Sequence, residues 1–466
     1  MGQVPGHTFK LEHFTDKLGS LNTERFHINV PKIDKPRVVV IGGGFAGINF
    51  IKELKDGPFQ VVLLDRHNYH TFQPMLYQVA TSGLEADSIS EPFRRIFNSY
   101  EDFHFRMLKV ISIDAKNNEV KTLIGNLKYD YLVIACGTKP NFFGNENIAK
   151  HAIPLKSVSN ALDLRSKFWQ CLEKANMTKS DIHKRATLTF TIVGGGPTGV
   201  EVAGALAEMR DHILTKDFPD LDMELIRICI VDSNPKVLKA MSQKSSEDTK
   251  RYLEKLNVEL LLNNRVEDYD GRTVALESGG TITSETLIWA AGVTANTING
   301  LGENAIEKGR YLVNDQLRLE NQINIFAVGD VAFLKTKDYE KGHPCVAQVA
   351  IQQGKHLGKN LMAIHHGKVS RPFSYTDKGT MATIGRNKAV VDFPNRLHLK
   401  GFFAWIIWGL VHIYYLIGFR NKAIAFYNWA ESYMTYDRGT RLIIKPYVPM
   451  GEKDAAKFIK QNEIGI

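Results

Sequence analysis

Two glycine triads, each followed by an acid, set the chemistry open to this chain. Gly42, Gly44 and Gly47 form one G-x-G-x-x-G run, and Gly194, Gly196 and Gly199 form a second. In such a run the first glycine permits a tight turn, the second lets a pyrophosphate approach the backbone, and the third lets helix and strand pack closely. The phosphates then meet free N–H groups at the positive end of a helix. Asp65 and Asp232 each end the strand that follows a triad, where an acid accepts hydrogen bonds from an adenosine ribose. Asp232 suits the free 2′-hydroxyl of NADH and repels the extra phosphate of NADPH, a preference tempered by Arg227 and Lys236 nearby. Two such units predict two different nucleotides reacting at the junction between them.

The elements that must hold these glycines are legible around them. Residues 37–41 are an apolar, β-branched run that stops at the first triad, residues 48–54 suit a helix, and residues 60–64 read as a second buried strand, closing a βαβ unit. The order recurs: strand 188–193, triad, a long helix from about Val200, strand 225–231. The wide spacing from Gly194 to Asp232 predicts a helix running past Asp211 and a loop around Pro219 and Asp220. Between the units, strand material over 103–119 and 120–134 is broken at Lys116, Asn117 and Asn118, which predicts a small sheet inserted before the last strand of the first unit. Residues 265–288 repeat that meander, and 324–328 give a further strand ending at Gly329 and Asp330. No short repeat appears, which excludes a solenoid.

A length of 466 residues predicts two or three domains, and 44% hydrophobic with 23% charged residues is the composition of a folded globular protein. The formal net charge of +9 favours anionic partners, among which we expect lipid headgroups and not nucleic acid. Cys136, Cys171, Cys229 and Cys345 are scattered, so neither a zinc cluster nor a redox dithiol is readable, no metal is expected, and a reducing cytosol fits. The first 36 residues carry Glu12, Asp16 and Glu24 and no basic stretch leading into an apolar core, and read as a polar arm.

The segment DYLVIACGTKP from Asp130, the run INIFAVGD ending at Asp330, and the two triads together resemble the two-dinucleotide-binding, glutathione-reductase-like flavoproteins. That resemblance implies non-covalent FAD in the first unit, NAD(P)H in the second, and Asp330 on the flavin ribityl chain. NYHTFQPMLYQVATSGL from Asn68, AQVAIQQG from Ala347 and GFFAWIIWGLVHIYYLIGFRNK from Gly401 narrow it, resembling type II NADH:quinone oxidoreductases over about residues 36–445. By this resemblance Ala347, Gln348, Gln352 and Gly354 lie beside the flavin and line a quinone pocket, where glutamine amides can bond a quinone carbonyl without adding charge. Glu201, just after the second triad, is implied to help organise the NADH and quinone sites. Gln73 and Gly137 join the FAD contacts, and Gly292 joins those to NADH. Cys136 stands where the family more often has threonine and reads as a small hydrophobe.

The expected cycle passes hydride from NADH to FAD N5 and then two electrons to ubiquinone or menaquinone, with Glu201 and Gln348 as the catalytic side chains and no proton pumping. A sulfide:quinone oxidoreductase would need reactive cysteines, for which only Cys136 and Cys345 lie near flavin segments, and a disulfide reductase would need a cysteine pair after Asp65. A non-enzymatic NADH-sensing flavoprotein is the third alternative. The fold expected is α/β: an arm (1–35), an FAD domain in two parts (36–155 and 293–375), an NADH domain (156–292), and a helical membrane-associating region (376–466). Residues 401–419 fall just short of a bilayer-spanning length, and His412 interrupts them. Phe426, Trp429, Tyr433 and Tyr436 recur at helical spacing, an interfacial stripe flanked by Arg420, Lys422, Arg438, Arg441 and Lys445. We therefore expect residues from about 395 onward to hold a homodimer on the cytoplasmic face of a bacterial inner membrane without crossing it.

Overall fold

The computed structural model describes residues 27–435, 439–443 and 447. Valine and isoleucine in β1 (Arg37–Ile41) are stiff at Cβ and suit a strand buried on both faces, and the strand is paired in parallel on both sides. The first glycine turn leads into α1 (Phe45–Glu53), then β2 (Gln60–Asp65), β3 (Phe103–Met107) and, after a three-stranded meander over 110–128, β4 (Tyr131–Ile134). The sheet runs Ile325–Ala327, β4, β1, β2, β3, all parallel, with the meander inserted before β4 as the sequence predicts.

The second unit repeats this plan. β5 (Thr189–Val193) leads into α2 (Pro197–Met209), which continues through a π-helical turn to Asp217 before the loop and β6 (Arg227–Asp232). With β7 (Val258–Leu262) and β8 (Thr286–Trp289) the order is Ile153–Pro154, β8, β5, β6, β7, again parallel, with a second meander over 266–283. The segments leaving β4 and β8 pair with each other as an antiparallel ribbon, Thr138–Pro140 with Val293–Ala295. That ribbon joins the units at the carboxyl ends of both sheets, where ligands of open α/β sheets bind.

The chain then returns to the first sheet through β9 (Ile325–Ala327) and lays α3 (Ala347–His365) against α1. This contact depends on glycine: an added methyl at Gly354 would overlap the Ala46 carbonyl, and one at Gly358 would meet Glu53 and the Phe50 carbonyl.

The C-terminal module is an antiparallel sheet, β10 (Thr380–Thr383), β11 (Ala389–Asp392) and β12 (His398–Lys400), followed by α4 (Gly401–Tyr415) and α5 (Phe419–Thr435). It is fastened to the second unit: His398 bonds Asp248 of helix Gln243–Lys255 at 2.9 Å, and Asp392 accepts from the Ser242 N–H before that helix at 2.7 Å. The 401–419 run breaks after α4, because Leu416 turns extended and Gly418 takes φ +87°, packing against Glu91. No described helix is long and apolar enough to cross a membrane. The aromatic stripe of α5 is partly internal: Trp429 packs on Trp408 and donates to Gln78, and Tyr433 lies against Trp405. Tyr436, Arg438 and Lys445 lie outside the described residues, as does the arm before residue 27.

Candidate active site

The two triads build matching cradles. Gly42 has φ +105° and Gly194 φ +108°, conformations open to glycine alone at little cost. A methyl on either would strike the backbone following β4 or β8, at Ala135 and Ala290 respectively. Gly47 and Gly199 each lie against the carbonyl of their own first glycine, so no side chain fits. Gly44 and Gly196, the N-caps of α1 and α2, have nothing within 4 Å of an added Cβ, and neither helix start is capped by a side chain. Open space before uncapped helical N–H groups is what an incoming pyrophosphate requires.

The acids are fixed from behind. Asp65 accepts from the N–H of Gly43 at 2.7 Å and of His67 at 2.8 Å, and Asp232 accepts from Gly195 at 2.5 Å and Asn234 at 2.7 Å. Each carboxylate thus braces its own glycine turn; Asp232 Oδ1 also accepts from the Asn234 side-chain amide at 2.7 Å, which leaves Oδ2 of Asp232 with the free lone pair for a ribose hydroxyl.

Where the two sheets converge, residues from both units meet. Asp330 follows β9, caps no helix with its side chain, and its carboxylate faces the Thr138 hydroxyl at 3.4 Å. Lys156, of the second unit, donates to Gln73 of the first at 3.2 Å. Gly137 (φ +63°) and Gly292 (φ +96°) form the turns that lead into the joining ribbon. At the start of α3, Ala347 and Gln348 are half-buried; Gln348 donates through Nε2 to the Gly379 carbonyl at 3.0 Å, and its buried Oε1 has no protein partner. In this orientation the open atom is an acceptor, which suits a donor such as an O–H or a ring N–H. Gln352 is committed at both ends, donating to the Thr376 carbonyl at 2.8 Å and accepting from its N–H at 3.0 Å, and so holds the 372–379 segment against α3.

Three residues that sequence reasoning passed over belong here. Gln353 is fully buried, and its Oε1 accepts from the Gly329 N–H at 2.7 Å, fixing the turn that carries Asp330. Its signal was a polar residue at helical spacing within the apolar stripe Val349, Leu357, Leu361. His70 is buried with its pKa pushed down to about 4 by desolvation, so a neutral ring donates from Nδ1 to the Gly43 carbonyl at 3.0 Å and leaves Nε2 a buried, unpartnered acceptor. Lys156 had no motif to mark it.

Glu201 lies one turn into α2 and is buried. Desolvation pushes its pKa up to about 8, against the Thr383 backbone and the Trp408 indole, which favour the ionised form. It therefore stands between the second unit and the C-terminal module. Trp408 stacks on His412 at 4.1 Å, His412 meets Phe72 at 6.0 Å, and Phe72 meets Phe45, the first residue of α1, at 5.7 Å. An aromatic path thus runs from α4 to the first cradle. The four cysteines are unpaired; Cys136 turns its Sγ to the Ile41 carbonyl, and burial pushes its thiol up to about 12, the environment of a packed hydrophobe.

Residues 36–354 match the pyridine nucleotide-disulphide oxidoreductase family, and residues 378–436 match the NDH2 C-terminal domain. Two type II NADH:quinone oxidoreductases of Mycobacterium tuberculosis are 35% and 36% identical, covering 87% and 86% of this chain and 89% of each relative. NDH2 of Plasmodium falciparum, solved in complex with NADH, superposes with a TM-score of 0.82 at 24% identity, over 88% of this chain and 100% of that one. The sulfide:quinone oxidoreductase of Aquifex aeolicus shares the fold at a TM-score of 0.68 and 20% identity, over 85% of this chain and 95% of that one.

Proposed function

The chain belongs to the type II NADH:quinone oxidoreductases, within the pyridine nucleotide-disulphide oxidoreductases, and on that premise we propose how its own residues carry the reaction. Bound FAD takes hydride from NADH and passes two electrons to a quinone, so the protein's part is to bind, orient and supply protons. The first cradle, Gly42, Gly44 and Gly47 with Asp65, holds FAD, and Gly194, Gly196 and Gly199 with Asp232 hold NADH. Asp330 and Thr138 take the sugar chain of FAD, with Gly137, Gln73 and Ala347 along the same wall and Gly292 beside the nicotinamide. The open Oε1 of Gln348 accepts from a ring N–H or from the hydroxyl of the quinol product, and Glu201, neutral at pH 7, is a proton source at the junction. Gln352 acts through its hold on 372–379. The observation that carries this reading is the pair of equivalent cradles, each open at its middle glycine, whose sheets converge by their carboxyl ends.

The exposed apolar face of α4 would seat the protein monotopically on an anionic bilayer, on the cytoplasmic face of a bacterial inner membrane, as a homodimer. The quinone, ubiquinone or menaquinone, would then enter along the aromatic path that leads from α4 toward the first cradle.

Steady-state NADH oxidation with and without a soluble quinone tests the activity: turnover should require quinone, and equal rates without it would refute this reading. Gln348→Ala should slow quinone reduction about tenfold, the value of one hydrogen bond to the reacting group, while flavin reduction by NADH changes less. Stopped-flow separates the two halves, and equal losses in both would assign Gln348 to support of the fold.

A further inference from the structure

We propose that Lys156 is the cation that stabilises the extra negative charge of the reduced cofactor at the junction of the two nucleotide units, a role that rests on the reading of the first unit as the FAD site. The residue follows the edge strand Ile153–Pro154 of the second sheet, as Asp330 follows the edge strand β9 of the first. These equivalent positions meet: Lys156 reaches across to Gln73 at 3.2 Å and lies within electrostatic reach of Asp330 and Cys345.

Its partner is the neutral Gln73 amide, and no carboxylate pairs with it directly among the described residues. Lys156 is half-buried, and that partial desolvation lowers its pKa, which the Asp330 charge only partly restores. A desolvated cation without an adjacent counterion is costly, and the cost is relieved when an anion arrives. Hydride transfer supplies one: two electrons and one proton leave NADH as NAD⁺ forms, so the acceptor gains one net negative charge. When both electrons, that proton and one further proton pass to the quinone, the quinol forms and the charge is gone. Lys156 therefore favours the reduced state over the oxidised one and leaves binding of the oxidised cofactor nearly unchanged. Gln73 acts as a positioning residue by holding the ammonium in place.

The test is spectroelectrochemistry on the purified holoenzyme. Lys156→Gln should retain FAD absorbance but stabilise the reduced state at least tenfold less, a fall of about 30 mV in the two-electron midpoint potential, and Lys156→Arg should restore most of it. Gln73→Glu, which places a carboxylate on the ammonium without removing it, should shift the potential in the same direction and covers the case in which Lys156→Gln folds poorly. An unchanged potential in Gln73→Glu, or equal shifts in Lys156→Gln and Lys156→Arg, overturns the proposal. Wild-type protein purified without flavin absorbance would instead refute the FAD site itself.

Discussion

Glu201 and Asp232 are both acids just beyond the second triad, yet their surroundings give them opposite tasks. Asp232 accepts from the backbone N–H groups of Gly195 and Asn234 and braces the glycine turn. Glu201 is enclosed by α2, Thr383 and Trp408, and desolvation favours the neutral acid. Its folded pKa of about 8 lies above the value in an unfolded chain, so between roughly pH 4.5 and 8 the folded state binds the additional proton. The associated stability is complete below that window and is lost as pH rises through about 8. Glu201→Gln, neutral at every pH, should therefore melt a few degrees above wild type at pH 9 and match it near pH 4.5; parallel melting curves across pH would place the ionisation elsewhere. Asp232→Ala should lower kcat/KM for NADH about 10- to 100-fold, from loss of charged hydrogen bonds worth about 1–3 kcal/mol, and lower that for NADPH less. Equal losses would mean that Asp232 serves only to brace the Gly195 turn.

Among the elements, α3 positions more of the site than any strand does, because it carries Ala347 and Gln348 at its start and Gln353 in its middle while lying against the fingerprint helix α1. Gly354→Ala would drive the helices apart at the Ala46 carbonyl. Overpacking of this kind costs about 1–3 kcal/mol, and the displaced helix should release FAD on gel filtration, whereas full FAD content with unchanged melting would contradict the close-contact argument. How far such features are legible in the sequence depends on their range. The triads, the strands before them, both meanders and the long helix into the Asp232 loop follow from local pattern, because turn geometry and β-branched runs act within a few residues. Gln353 for Gln352, the sense of the Gln348 amide and the Lys156–Gln73 bridge do not, since each is set by a partner far along the chain. The stripe of α5 shows the same limit: helical spacing marks an apolar face but not what covers it, and here Trp429 packs on Trp408 and Tyr433 lies against Trp405 while Phe426 stays exposed.

At the scale of the whole molecule, the proposed membrane attachment needs an exposed apolar surface, and α4 supplies one. Phe403, Leu410 and Tyr414 of α4 are 73%, 62% and 73% exposed, and Phe419 at the start of α5 is 89% exposed. They continue an apolar face whose opposite side, Ala404 and Trp408, packs on the protein. The basic residues expected to add attraction are partly spent: Arg441 pairs with Asp217 at 2.9 Å, Arg420 with Asp87 at 3.6 Å, and Lys422 donates to the Tyr414 carbonyl. Apolar transfer should therefore outweigh lipid charge, at about 1.5–3 kcal/mol per buried large side chain. Truncation near residue 395 is a poor test, because it removes β12 with the His398 clamp and strips Trp408 from Glu201. Leu410→Glu instead changes an exposed side chain and leaves those contacts in place. It should weaken binding to lipid vesicles by tenfold or more while preserving NADH oxidation with a soluble quinone, and raising salt should release the wild-type protein only slightly. If high salt strips the wild type while Leu410→Glu stays bound, attachment is electrostatic and the α4 face is not the one that enters the lipid.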